Sequence, residues 1–405
     1  MNMLKPVKQN SFVPSAAVSP FVNDEMHHDS FFHPNLGGVI KGGMSNHYPM
    51  TIMSLAGLGA NDDEIKRFRQ TWPKHRSHVE TELGLIDKSE ITLDNWKDYL
   101  GQTSRLLEFR RVFTQRIVMS GAKEFVTEAL EQMKLGLPMG LFHPLIQLSF
   151  AVIHGDNKLI ANALAYFAIR YKNLYRNYPE LSLSDTAKPL LSDTLEPVLL
   201  NIKASSTWAD INQDIDKVVV SFQPSGGSLY ICEQLCGEST IQQLAFSHGF
   251  MINEQNLKNK IAEISQMAIR LYLAEPALTT LHAVTACQAL ADLTLRFGTD
   301  KKSSKTYSKL WSLYWIWLTG LYLEKGFPAD LPCVKDNKIS FDSWEIIAKN
   351  ARNIPEVHLI KMVYSCKWLY ENIEHNELYR VAAMNILKEQ NAHPTIIRWT
   401  RDESL

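Results

Sequence analysis

Histidines in apolar, helix-like segments are the residues of this chain best suited to chemistry. Of its 13 histidines, five lie at the start of such segments or within them: His47, His143, His154, His282 and His358. A buried imidazole must find a partner for each of its two ring nitrogens, which is difficult to achieve five times in one helical core. A shared metal ion would satisfy several at once, whereas unrelated core histidines and hydrogen-bonding pocket residues are the alternative. The spacing leaves both interpretations open.

Residues 354–364 join one of these histidines to a lysine. Pro355 is predicted to open a helix, and Glu356 suits the positive end of the helix dipole. His358 and Lys361 are three residues apart, so the helix places them on one face. This pattern predicts a histidine and a lysine that face inward together. The alternative is a hydrogen-bonded core histidine beside a lysine whose ammonium group reaches water.

Other catalytic patterns do not occur in the sequence. Gly57 and Gly59 follow a helical segment and lack the third glycine of a dinucleotide-binding fingerprint, and there is no G-x-S-x-G or H-E-x-x-H pattern. The clustered His27, His28 and His33 are predicted to lie in a mobile polar loop. If the protein oxidises a substrate, a metal is therefore the expected source of the electron chemistry.

Charge and composition exclude several classes of partner. The 405 residues include 42 basic and 43 acidic side chains, which are interspersed, so no basic surface for nucleic acid is expected. Five scattered cysteines do not make a disulfide framework, which indicates a reducing compartment. The apolar run 310–323 is shorter than the roughly 20 residues of a membrane span and is interrupted by polar residues. We therefore expect a cytoplasmic protein with no membrane partner.

Helical periodicity runs through most of the chain and predicts an all-α fold. With 45% hydrophobic residues the chain can build one large core, and neither a repeat nor an internal linker divides it. Residues 1–34 contain several prolines and are predicted to form an extended N-terminal arm, whereas residues 35–405 are predicted to form a single multi-helical domain. A short β-like segment is expected at residues 217–222.

Five short motifs follow one another along the chain: Asn46-His47-Tyr48-Pro49-Met50, Phe142-His143-Pro144-Leu145-Ile146, Leu164-Ala165-Tyr166, His282-Ala283-Val284-Thr285 and His358-Leu359-Ile360-Lys361. In their order and spacing, from near residue 46 to about 370, the chain resembles the questin oxidase-like family. The resemblance implies an all-helical oxygenase of aromatic polyketides. Members were long described as Baeyer–Villiger-type oxidases that use a reduced nicotinamide, and one branch is similar to a non-haem iron dioxygenase.

In that branch the iron is held by four histidines and a carboxylated lysine. Carried over to this chain, the resemblance implies an Fe(II) site with four imidazoles and one lysine that has formed a carbamate with CO2: His47, His143, His282, His358 and Lys361. Of these, His47, His282 and Lys361 are expected to be catalytic. Several members place a second histidine one turn after the Phe-His-Pro motif. Here that position is Gln147, and His154 is the candidate to replace the missing histidine.

The resemblance and the residues together predict an oxidoreductase. The expected activity is an Fe(II)-dependent oxygenase that attacks an aromatic or quinone-like small molecule with O2, by ring C–C cleavage or oxygen insertion. NADPH is expected only as an external reductant, and an NADPH-dependent Baeyer–Villiger-type monooxygenase is the second choice. The residues expected to line the substrate pocket are Phe142, Gln147, His154, Tyr166, Trp311, Trp315, Tyr364 and Trp368. The alternative is a non-catalytic helical binding or scaffold protein that has lost the metal site.

Overall fold

Thirteen α-helices build the part of the chain that the computed structural model describes, which is residues 18–36, 38, 45–72, 88–175, 245, 252–325 and 342–392. Those residues form no strand, which confirms the predicted all-α fold. The helices are α1 (Pro20–Asp29), α2 (Tyr48–Gly57), α3 (Asp62–Thr71), α4 (Leu106–Ser120), α5 (Ala122–Met133), α6 (His143–His154), α7 (Asn157–Arg170), α8 (Leu257–Ala274), α9 (Leu278–Phe297), α10 (Lys301–Glu324), α11 (Trp344–Arg352), α12 (Val357–Asn372) and α13 (Leu378–Ala392).

Four of these helices pack in a closed ring that forms the centre of the molecule. Helix α2 contacts α6, α6 contacts α9, α9 contacts α12, and α12 contacts α2 again. Their facing surfaces are almost entirely buried, and the remaining helices cover the outside of the ring. Residues from four distant parts of the sequence therefore meet at one place.

Helix boundaries follow local signals in the sequence. Helix α9 spans residues 278–297, a run dense in apolar residues. Helix α3 begins with a capping box, in which the Asn61 side chain accepts a hydrogen bond from the Glu64 backbone N–H and the Glu64 carboxylate accepts one from the Asn61 N–H. Gly121, with a φ of 86°, separates α4 from α5.

The tryptophan-rich helix α10 is a core element. Trp311, Trp315 and Trp317 are at most 1% exposed. The indole N–H groups of Trp311 and Trp315 donate hydrogen bonds to Thr294 Oγ1 at 3.0 Å and to the Ala245 carbonyl at 2.8 Å. No helix within the described ranges has the length and apolar content needed to cross a membrane.

The prediction of an extended N-terminal arm is wrong for residues 20–29, which form α1. Ser19 caps this helix by accepting a hydrogen bond from the Val22 N–H, and Pro20 occupies the first turn, where its missing N–H costs little. Val22 and Met26 are buried, and α1 packs on α2. An amphipathic helix at this point was therefore encoded by a serine, a proline and two apolar residues one turn apart.

The predicted mobile polar loop is also wrong. His27 and His28 lie in α1, and His33 is 1% exposed, with its Nδ1 accepting a hydrogen bond from the Asn35 backbone N–H at 3.0 Å. Residues 1–17 of the arm and the β-like segment 217–222 lie outside the described residues, and the domain boundary at residue 34 stays a prediction.

Candidate metal centre

One histidine comes from each helix of the central ring, and each lies near the N-terminal end of its helix. His47 is the N-cap of α2, His143 the first residue of α6 and His358 the second residue of α12. His282 lies in the second turn of α9. Helix N-termini carry a partial positive charge. The histidines therefore surround a point where an anionic ligand is electrostatically favoured.

The four imidazoles form a closed cluster in the same order as the helices. Ring centroids are 4.5 Å apart for His47 and His143, 4.7 Å for His143 and His282, 5.4 Å for His282 and His358, and 4.7 Å for His358 and His47. All four side chains are buried. Nitrogens of His47, His143 and His358 lie within 4.8 Å of one another, a spacing suited to a metal ion.

Two backbone carbonyls fix the tautomers of His143 and His282. His143 Nδ1 lies 2.5 Å from the Gly140 carbonyl oxygen, and His282 Nδ1 lies 2.8 Å from that of Leu278. Each Nδ1 must therefore carry the hydrogen and donate it, which leaves a lone pair on each Nε2. These two Nε2 atoms are 3.2 Å apart.

Two lone pairs at that distance repel each other unless a cation lies between them. Two nitrogens bound about 2.1 Å from one metal ion, at an angle near 90°, would be roughly 3.0 Å apart. Metal-bound histidines usually donate their other N–H to a carbonyl or carboxylate, as these two do. The donor set therefore fits a metal ion held by the Nε2 atoms of His143 and His282.

For His358 a buried carboxylate, that of Glu356, takes the place of the backbone carbonyl as the partner of Nδ1. Glu356 is the N-cap of α12, and its side chain accepts hydrogen bonds from the His358 and Leu359 backbone N–H groups. Its Oε1 also lies 3.1 Å from His358 Nδ1. From the sequence, Glu356 was expected only to suit the helix dipole, and Pro355 was expected to open the helix. The helix instead begins at Val357, because the Glu356 side chain caps it.

Lys361 completes the cluster. It is 1% exposed, and its Nζ lies 2.9 Å from His47 Nδ1. The alternative of a lysine that reaches water is therefore wrong. Burial lowers the pKa of Lys361 to about 7, and the nearby Glu356 carboxylate opposes this shift only partly.

Burial also lowers the pKa of every imidazole in the cluster. For His47 and His143 the lowering is large, and repulsion by the Lys361 ammonium adds to it. The pKa of His282 falls for the same reasons, and that of His358 falls less far because the Glu356 carboxylate favours the protonated ring. Neutral imidazoles are the form that binds metal ions.

The backbone before His143 is held in an unusual conformation. Leu141 and Phe142 have φ values of 53° and 62°, in the left-handed region that non-glycine residues seldom adopt. Phe142 packs edge-on against Trp317, with ring centroids 4.7 Å apart, and is fully buried. Packing of this kind can maintain a conformation that costs about 1–3 kcal/mol per residue. It turns the chain so that His143 faces the other histidines.

The sequence matches the questin oxidase-like family over residues 44–366, a span that includes all four histidines and Lys361. The chain belongs to the questin oxidase-like family. Membership supports an oxidoreductase, and it suggests an oxidase that acts on aromatic polyketides. A comparison with curated proteins finds no significant match.

The position where several family members have a second histidine is occupied by a glutamine in this chain. Gln147 lies one turn after His143 on α6, and it lines a small cavity beside α1, α2, α4 and α7. Its Oε1 is buried and has no hydrogen-bond partner among the described residues.

His154 does not replace the missing histidine. It is the last residue of α6, eleven positions after His143, which puts the two Cα atoms about 16 Å apart along the helix axis. Its ring instead packs edge-on against His27, with centroids 6.1 Å apart. A helix carries residues one turn apart to one site, but not residues three turns apart.

All six Phe, Tyr and Trp residues predicted to line the substrate pocket are core residues. Phe142, Tyr166, Trp311, Trp315, Tyr364 and Trp368 are each at most 1% exposed. The Tyr166 hydroxyl, for example, lies 2.6 Å from Ser45 Oγ. Of the predicted set, Gln147 alone lines the cavity that the structure describes. Contact of every residue of this set with substrate, Gln147 included, stays a prediction.

Proposed function

We propose that this protein is a non-haem iron(II) oxygenase that acts on an aromatic or quinone-like small molecule. The observation that carries the proposal is the pair of Nε2 atoms of His143 and His282, which face each other 3.2 Å apart. The Nδ1 atoms of the same two rings donate hydrogen bonds to backbone carbonyls, so both Nε2 atoms carry lone pairs. Neutral imidazoles suit iron, and a donor set without cysteine argues against a structural zinc site. Family membership supports the oxidation of an aromatic compound.

His47, His143, His282 and His358 would hold the iron, which when bound supplies the capacity to activate O2 for attack on the substrate. Hydrogen bonds to the second ring nitrogen orient three of these ligands. The Glu356 carboxylate orients His358. The carbonyls of Gly140 and Leu278 orient His143 and His282. The deep burial of the cluster excludes bulk water, which strengthens every electrostatic interaction within it.

Lys361 is proposed to provide the anionic ligand that four neutral imidazoles lack. An ammonium beside a divalent cation would be repelled, so Lys361 must be neutral or modified when metal is bound. A neutral amine forms an N–C bond to CO2 and releases one proton, which leaves a carbamate anion. The converging N-termini of the ring helices favour such a negative charge.

Oxygen uptake tests the proposal. With Fe(II) and a panel of hydroxylated quinones, and without flavin, we expect O2 consumption that depends on both iron and substrate. A chelator should abolish it, and added Fe(II) should restore it. Ring cleavage by a dioxygenase places both oxygen atoms in the product and needs no NADPH. Insertion by a monooxygenase consumes one NADPH and forms one water per O2. Activity that requires added flavin and ignores chelators would show that the metal mechanism is wrong.

Replacing Glu356 by glutamine is expected to weaken iron binding about 10–100-fold, because His358 loses the carboxylate that orients it. Stability should fall by about 1 kcal/mol, because the helix cap is also weakened. Competition with a chelator of known affinity measures the first effect, and urea unfolding measures the second.

Ser343→Ala is the matched control, since Ser343 caps the neighbouring helix α11 through the Ile346 N–H. It should lower stability and leave iron affinity unchanged. Equal iron affinities for the wild type and Glu356→Gln would exclude an orienting role for the carboxylate.

A further inference from the structure

His47 is the histidine of the cluster whose ring lacks an outer hydrogen-bond partner. The Nδ1 atoms of His143, His282 and His358 are paired with two backbone carbonyls and a carboxylate. His47 Nδ1 instead lies 2.9 Å from Lys361 Nζ, which is itself part of the cluster, and no other hydrogen bond to the His47 ring occurs among the described residues. Metal-binding histidines usually have an outer partner that fixes the ring. The orientation of His47 therefore depends more than that of the others on what holds its backbone.

Both chain neighbours of His47 are hydrogen-bonded to helix α1. The Asn46 carboxamide donates from Nδ2 to both carboxylate oxygens of Asp29, each at 3.0 Å. The Tyr48 hydroxyl donates to Glu25 Oε2 at 2.6 Å. Glu25 and Asp29 are four residues apart, so they lie on one face of α1, which packs on α2. Two carboxylates of one helix thus hold the residues on either side of His47.

The Asn46 side chain also closes a turn around His47. Its Oδ1 accepts a hydrogen bond from the Tyr48 backbone N–H at 3.1 Å, in the manner of an Asx turn. The Asn46 backbone N–H donates to the Pro34 carbonyl at 2.7 Å. The His47 carbonyl accepts hydrogen bonds from the Thr51 N–H at 2.9 Å and the Thr51 hydroxyl at 2.8 Å. The backbone of His47 is therefore fixed on both sides, and with it the direction of its Cα–Cβ bond.

These contacts are buried and involve charged groups. Glu25, Asp29, Asn46 and Tyr48 are at most 6% exposed. Hydrogen bonds to an ionised acceptor are roughly twice as strong as neutral ones, and a low dielectric strengthens them further. Arg69 compensates the charge of Glu25, because its Nη1 donates to Oε1 at 2.7 Å. A buried network of this kind is costly to disturb, which makes it suited to positioning a metal ligand.

We propose that α1 is a positioning element of the metal site. Through Asn46 and Tyr48, its two carboxylates hold the His47 imidazole where a metal ion can bind it, and they thereby raise the affinity for the metal. The match to the questin oxidase-like family covers residues 44–366, so α1 lies before the matched span. The inference adds an element outside that span to the site, and it rests on the proposed metal-dependent function.

Titration of the full-length protein with Ni(II), in competition with a chelator of known affinity, tests the inference. Ni(II) binds such sites more tightly than Fe(II), so weakened variants stay measurable. Asp29→Ala should bind Ni(II) about tenfold more weakly than the wild type, at the lower end of the effect of losing an outer partner. Asp29→Asn should stay within about threefold of the wild type, since its amide oxygen still accepts a hydrogen bond from Asn46. Both variants remove the charge that attracts Arg110, so their difference reports the hydrogen bond.

A double-mutant cycle shows whether the effect acts through His47. In His47→Ala protein, Asp29→Ala should change the Ni(II) affinity by less than about twofold, because the side chain that α1 positions is already gone. Ser19→Ala is the matched control, since Ser19 caps the same helix and donates to Asp62 Oδ1 at 2.7 Å. It should lower stability to urea and leave Ni(II) affinity unchanged. If Asp29→Ala does not fold, as judged by circular dichroism, Tyr48→Phe gives the answer and should weaken binding about threefold.

Hydrogen exchange of the metal-free protein gives a readout that does not depend on metal. The backbone amides of Tyr48 and Thr51 donate within the turn around His47. In Asp29→Ala they should exchange about tenfold faster than in the wild type, because the turn opens more often. In Ser19→Ala they should exchange at the wild-type rate.

The outcomes separate this inference from the iron proposal. Equal Ni(II) affinities for the wild type and Asp29→Ala would overturn the inference and leave the iron proposal standing. An equal loss from Asp29→Ala with and without His47 would do the same. A wild type that binds no metal but shows the exchange effect would contradict the iron proposal and support the positioning of His47 by α1. Unchanged exchange at Tyr48 and Thr51 would overturn the inference whether or not metal binds.

Discussion

Replacement of His282 by alanine is expected to abolish stable iron binding while the helical fold persists. His282 Nε2 is 3.2 Å from His143 Nε2, and both lone pairs face the centre of the cluster. The variant removes one of the two best-defined donors and leaves space that water can enter. His143→Ala should act in the same way. Iron content should fall from about one atom per chain to less than about a tenth of that. Loss of a hydrogen bond to a metal ligand typically lowers metal affinity about 10–100-fold, and loss of the ligand itself should lower the affinity further.

Metal analysis by mass spectrometry, on protein purified without a histidine tag and loaded with Fe(II) under anaerobic conditions, measures the effect. Circular dichroism shows whether the helices remain. His154→Ala is the control, since His154 lies on the same helix as His143 but about 16 Å away. It should bind as much iron as the wild type. Full occupancy in both the His282→Ala and His143→Ala variants would disprove the site, and a metal-free wild type would favour the non-catalytic binding protein.

Lys361→Arg is expected to lower activity about a hundredfold or more, even though it keeps a positive charge in solution. A guanidinium stays protonated and cannot form a carbamate, so the proposed anionic ligand would be lost. The larger side chain would also have to fit where Lys361 Nζ lies 2.9 Å from His47 Nδ1. Lys361→Ala should lose activity as well, but its smaller side chain leaves room for an external acid.

Short carboxylic acids such as formate and acetate should partly restore the alanine variant and not the arginine variant. Protein incubated with ¹³C-bicarbonate should give a carbamate signal by ¹³C NMR that is missing from both variants. Lys367→Arg, on the same helix and paired with Glu371, is the control and should keep full activity. Wild-type activity in Lys361→Arg would show that no carbamate is needed.

Local features of the chain could be predicted from the sequence because helices are stabilised within a few residues. The backbone hydrogen bonds of α9 join residues four apart, so the apolar pattern of residues 278–297 was enough to define it. Caps are equally local, as with Asn61 and Glu64. The error at residues 20–29 arose from giving the prolines more weight than the Ser19-Pro20 start signal and the spacing of Val22 and Met26.

The features that define the site depend on contacts between distant residues. Lys361 meets His47 across 314 positions, and His282 meets His143 across 139. The motifs named these residues through a resemblance, whereas their mutual distances follow from how α2, α6, α9 and α12 pack.

The sequence by itself therefore determined the helices, their caps and the membership in the questin oxidase-like family, because these depend on neighbouring residues and on short motifs. Only the tertiary structure decided which nitrogen of each histidine faces the cluster, that Glu356 supports His358, and that Lys361 is buried. Tautomer, burial and charge compensation are properties of the surroundings of a side chain. Those surroundings come from the closed ring of four helices and from no single segment of the chain.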